Sequence, residues 1–122
     1  MGELTKKKIY LSGKITGLDR IVCKGKFSRA FIALVKDHGI DPAYIVNPLK
    51  LGWALEGFDY DDMMAVDVAA LKRCDAIYML NNYEDSQGAQ RELEIAKELG
   101  LEILYEPVEK IEVEKNLKWT KK

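Results

Sequence analysis

Four short apolar runs, separated by segments of helical periodicity, constrain this chain more tightly than any other feature. Residues 8–12 (KIYLS), 44–46 (YIV), 76–80 (AIYML) and 102–105 (EILY) have strand length, and the first is closed by Gly13. Runs that are apolar almost throughout read as strands buried on both faces. Between them, residues 26–38 place Phe27, Ala30, Phe31, Leu34 and Val35 on one helical face, with Gly39 as a C-terminal stop. Residues 60–73 and 87–99 carry the same periodicity, whereas residues 49–59, with Trp53 and Phe58, read as a loop or irregular turn. Strands alternating with helices over short turns predict an α/β fold. The expected architecture is a flavodoxin-like (Rossmann-like) three-layer sandwich with a central parallel sheet in the order 2-1-3-4. The charged tail, residues 106–122, alternates charge and apolar residues over 110–114, which would suit a fifth strand.

Length and charge narrow the function classes. At 122 residues and 48% hydrophobic content the chain suits one domain spanning 1–122, with its core at about 8–105. A net charge of −1 gives no basic footprint for nucleic acid, although a local basic loop could hold one small phosphate. Cys23 and Cys74 lack any C-x-x-C spacing and read as reduced thiols of a cytoplasmic protein. The single histidine, His38, ends a helix and cannot build a His-based metal site, so no metal and no cofactor is expected. No apolar run approaches the roughly 20 residues that a membrane span requires.

Two carboxylates fall where apolar residues belong. In the 87–99 segment Ala89, Ile95, Ala96 and Leu99 form one stripe with Glu92 in its middle, while Gln90, Arg91, Glu94, Lys97 and Glu98 take the wet side. In the 60–73 segment Met63, Ala70, Leu71 and Cys74 form the dry face, and Asp67 lies among them. A buried carboxylate is costly unless paired or hydrogen-bonded, so two inward acids in a small domain point to a cleft. Each has a plainer explanation as well. Glu92 could pair with an arginine or cap backbone groups, and Asp67 could serve helix-end electrostatics with Asp61 and Asp62.

In open parallel sheets ligands bind beyond the carboxyl ends of the strands, near the point where strand order reverses. The loop after the first strand begins SGKITG. Gly13 and Gly17 let backbone N–H groups approach an anion, and Ser12, Lys14 and Thr16 add hydroxyls and charge. This is neither G-x-G-x-x-G nor a Walker loop, and a simple strand-to-loop turn fits it equally well. Before the 87–99 helix, DSQG offers Ser86 either as an N-cap or as a hydroxyl aimed at a phosphate, with Asp85 as a secondary ligand. Asp75 reads as a turn residue. Tyr10 reads either as core packing or as a phenol seeking a buried partner such as an inward carboxylate. A carboxylate pair beside an anion-compatible edge suits glycosidic-bond cleavage, in which one carboxylate traps or stabilises an oxocarbenium-like centre.

YLSGKITG (residues 10–17), the D-x7-D spacing of Asp67 and Asp75, and SQGAQRELEIA (residues 86–96) together resemble the nucleoside 2-deoxyribosyltransferase superfamily. The pattern is most similar to its branch of 2'-deoxynucleoside 5'-monophosphate N-glycosidases and related bacterial and phage proteins. The resemblance implies that Glu92 attacks the anomeric carbon, Tyr10 orients it, and Asp67 contacts the base or assists its departure. It further implies a 5'-phosphate held by Gly13, Lys14, Ile15, Thr16, Gly17, Ser86 and Gly88. It implies a nucleotide rather than a free nucleoside, and a homodimer or higher homo-oligomer. Lys14 departs from the smaller or apolar residue common in such transferases, and residues 48–59 match nothing in the family pattern. Two further readings compete with catalysis: a non-catalytic nucleotide-binding module of the same fold, and an interaction domain using Trp53, Phe58 and the tail.

Overall fold

The computed structural model of the protein describes residues 6–52 and 57–107. Four strands, β1 (Ile9–Ser12), β2 (Ile45–Val46), β3 (Ala76–Met79) and β4 (Glu102–Tyr105), form one sheet in the order β2-β1-β3-β4. All three pairings are parallel, with Tyr10 opposite Val46 and Ile77, and Tyr78 opposite Leu104. Three helices flank it: α1 (Arg20–His38), α2 (Tyr60–Leu71) and α3 (Gln87–Leu99). This is the expected α/β flavodoxin-like arrangement and strand order. The segment proposed for a fifth strand, with the rest of the tail beyond residue 107, lies outside the described residues, as does Trp53.

Strand periodicity divides the core. Ile9 and Leu11 of β1 join Ala76, Tyr78 and Leu80 in packing against Cys23, Phe27, Ala30 and Leu34 of α1. The alternate residues, Tyr10 of β1 with Ile77 and Met79 of β3, face Leu71 at the end of α2, Cys74 just beyond it, and Ala89, Leu93 and Ala96 of α3. Residues i and i+2 of a strand share a face, so Ser12 falls on the same side as Tyr10.

Several boundaries and faces differ from expectation, each for a local reason. α1 begins at Arg20 instead of residue 26, because the Asp19 side chain accepts from Ile21 N and Val22 N and caps it there. The first turn of α1 buries only Cys23, while Ile21 and Val22 are 82% and 47% exposed, so the apolar residues there do not trace the helical stripe. Residues 49–52 form one helical turn where a loop was expected, started by Asn47 Oδ1 accepting from Leu49 N. α2 buries Met64 more fully than Met63, and in α3 Leu93 replaces the exposed Leu99 on the buried stripe. α1 and α3 both stop at glycines with positive φ, Gly39 and Gly100, where side chains other than glycine are strained.

Candidate active site

The sequence places a glutamate on the apolar stripe of α3, and the fold supplies its partners from β1. Glu92 is 6% exposed. Its Oε2 accepts from the Tyr10 hydroxyl at 2.9 Å, and its Oε1 accepts from Ser12 Oγ at 2.6 Å. Tyr10 and Ser12, two residues apart on one strand, thus aim both hydroxyls at a single carboxyl group. Asp67, half-buried on α2, lines the same cleft as Glu92 and lies close enough to act on it electrostatically. Burial raises both carboxyls, Asp67 to about 6 and Glu92 to about 7; the two hydroxyls pull Glu92 back down, while the neighbouring Asp67 charge pushes it up. Raised toward neutrality, such a pair can carry one proton and one charge near pH 7, the two states required of an acid and a nucleophile. Tyr10 is raised well above 10 by burial and by the Glu92 charge, so it stays a neutral donor.

Glu92 and Asp67 open onto a cleft of about 630 Å³ at the carboxyl edge of the sheet. Gly13, Lys14, Ile15 and Thr16 form one wall, and Asp85, Ser86, Gln87 and Gly88 form another. Pro48, Phe58, Tyr60, Met63 and Met64 form a largely apolar third. The volume falls in the range of small-molecule sites.

Each wall has a local cause. Gly13 is required by packing: a Cβ there would lie 2.9 Å from Leu80 Cβ and 3.2 Å from Asn82 Oδ1. The loop is then pinned from two sides, with Lys14 N donating to Asn82 Oδ1 at 3.1 Å and Cys23 Sγ donating to Lys14 O at 3.6 Å. Gly17 turns the loop at φ +86° and stands outside the cleft lining. Ser86 caps α3, its Oγ accepting from Ala89 N at 3.0 Å, which leaves its proton to donate. A side chain at Gly88 would project toward Tyr60 Oη and Met64 Sδ, so glycine keeps that corner open.

The structure brings together Lys14, Ile15, Thr16, Asp85, Ser86, Gly88, Asp67 and Glu92 as cleft lining, with Tyr10 beneath. Ser12, grouped by sequence with the anion loop, is instead buried on Glu92. Of the apolar wall, Tyr60 and Met64 went unforeseen. They carry no motif, and only the position of α2 beside α3 reveals them. Asn82, which clamps the Lys14 backbone, carries no sequence signal for that role; its Nδ2 is buried without a hydrogen-bond partner among the described residues. Among the described residues no group of three His, Cys, Asp or Glu side chains is placed to hold a metal ion, and no helix is long and apolar enough to cross a membrane.

No curated protein and no solved structure matches the chain. Residues 7–105, which hold every element of the sheet and every residue of the cleft, match the model of the family described as Domain of unknown function (DUF4406), and the chain belongs to that family.

Proposed function

We propose that the protein cleaves, or transfers, the N-glycosidic bond of a (deoxy)nucleoside 5'-monophosphate through a covalent glycosyl-Glu92 intermediate, as a relative of the nucleoside 2-deoxyribosyltransferase superfamily. The observation that carries this reading is the Glu92 carboxyl, held by Tyr10 and Ser12 and facing a cleft beside Asp67. In the first step a Glu92 oxygen bonds to C1' of the sugar as the C1'–N bond breaks. The bonding electrons leave on the base nitrogen, which takes a proton from Asp67. Water or a second base then attacks C1' with loss of its proton, and Glu92 leaves as the carboxylate.

The remaining walls suit the other parts of such a substrate. Lys14, the backbone of residues 13–16, the Ser86 hydroxyl and the amino end of α3 favour a phosphate. Phe58, Tyr60, Met63 and Met64 offer flat and polarisable surface for a base. A purely nucleotide-binding module would use the anion wall equally well, but it leaves unexplained a buried Glu92 carboxyl beside the half-buried Asp67, whose desolvation costs stability. The same reading carries a cytoplasmic location and a homodimer or higher homo-oligomer as expectations, with no cofactor required for the chemistry.

The test is chromatographic detection of free base from a panel of ribo- and deoxyribonucleoside 5'-monophosphates beside the matching nucleosides, with and without acceptor bases. Release from monophosphates in preference to nucleosides is the expected result. Nucleotide binding without base release from any of them would transfer the reading to the binding module.

A further inference from the structure

We propose that Ser12 is a positioning residue for Glu92, fixing its Oε1 and keeping negative charge on it, and that Ser12 takes no part in holding the substrate phosphate. The inference rests on the function proposed above and deepens it, because it assigns the residue that prepares the nucleophile.

The geometry is specific. Ser12 Oγ lies 2.6 Å from Glu92 Oε1, within the short range of hydroxyl–carboxylate hydrogen bonds. Ser12 is 1% exposed and stands below the cleft lining, out of reach of a ligand. Its neighbours in β1, Ile9, Tyr10 and Leu11, are fully buried, so a serine there would leave an unsatisfied hydroxyl unless something accepted its proton. Glu92 is that acceptor. Tyr10 holds the other oxygen at 2.9 Å, and the two bonds together set the plane of the carboxyl group.

The charge balance points the same way. The groups facing Glu92 are Tyr10 and Ser12 from β1 and Asp67 from α2, with Lys14 and Asp85 on the cleft walls and Cys74 close to Tyr10. Burial and Asp67 both favour protonated Glu92, whereas Ser12 and Tyr10 favour the carboxylate. The two donors therefore oppose the pull of burial and of Asp67, and losing either one should leave Glu92 protonated to a higher pH.

Two measurements on the full chain decide the matter. One is the titration of Glu92 followed by NMR of its 13C-labelled carboxyl. The other is the pH profile of kcat/KM on a deoxynucleoside 5'-monophosphate. Ser12→Ala should raise the Glu92 midpoint by about one pH unit and move the acidic limb of the profile up by the same amount. Near pH 6 that is roughly a tenfold fall in rate, with KM little changed. Ser12→Thr, which restores a hydroxyl, should return both toward wild type. If Ser12→Ala does not fold, Ser12→Cys, a weaker donor of similar size, should still lift the midpoint. An unmoved midpoint would overturn the assignment, as would a rise in KM confined to monophosphates with kcat intact. Should wild type release no base at all, the glycosidase reading fails while the NMR titration still decides the role of Ser12.

Discussion

β1 sends Ile9 and Leu11 to one side of the sheet and Tyr10 and Ser12 to the other, and all four are fully or almost fully buried. On the α1 side their partners are Phe27, Ala30 and Leu34, an apolar cluster that burial alone rewards. On the α2 and α3 side the same strand meets Glu92 and Asp67, and its two hydroxyls are spent on carboxyl oxygen. One face is built for stability; the other gives up stability to keep polar groups dry and aligned. Function is expected where the packing rule is broken and the break is fully hydrogen-bonded.

Substitutions on the two faces should fail in opposite ways. Glu92→Gln should lower base release a thousandfold or more, about 4 kcal/mol in the barrier, yet leave the melting temperature at pH 7 equal or higher, because burial no longer penalises a charge there. A steady rate with lowered stability would reverse the roles assigned to the two faces. Phe27→Ala, in the apolar cluster, should cost about 3–5 kcal/mol of unfolding free energy in a denaturant titration. In the fraction still folded, KM for the substrate should be unchanged.

The pH dependence of stability sharpens the contrast. Glu92 rises from 4.5 to about 7 on folding and Asp67 from 3.8 to about 6, both chiefly through burial. The folded state therefore binds more protons between these limits, and the stability they contribute is present below about pH 4 and lost as pH rises toward 7. Chemical denaturation across pH 4 to 7.5 should show that decline in wild type and a shallower one in Glu92→Gln. Equal slopes would mean that the glutamate is not desolvated.

Smaller effects test the walls. Gly13→Ala should cost about 1–3 kcal/mol, since Leu80 Cβ lies 2.9 Å from the new methyl; an unaltered melt would show that the strand end gives way easily. Lys14→Ala should raise KM for a monophosphate about tenfold, roughly 1.4 kcal/mol, and leave that for the nucleoside nearly unchanged. A parallel rise for both would remove Lys14 from the phosphate wall.

The sheet was legible because each strand is a compact apolar run, with Gly39 marking the end of the first helix and Ser86 the start of the third. Glu92 was legible for the converse reason, as a charge on a stripe that tolerates none. Ser12 was not, although strand alternation already put it on the same side as Tyr10; its neighbours Gly13 and Lys14 drew it into the loop pattern instead. Tyr60, Met64 and Asn82 could not be read from sequence, because their roles arise from distant elements meeting at the cleft. The start of α1 was hidden by the exposed Ile21 and by a capping aspartate outside the periodic stretch.

The most direct test of the central claim compares base release from a deoxynucleoside 5'-monophosphate by wild type and by Glu92→Gln, at equal concentrations of folded protein verified by thermal melting. Release by wild type that vanishes in a folded Glu92→Gln variant is the expected result. Release at an undiminished rate by that variant would contradict the assignment of Glu92 as the nucleophile.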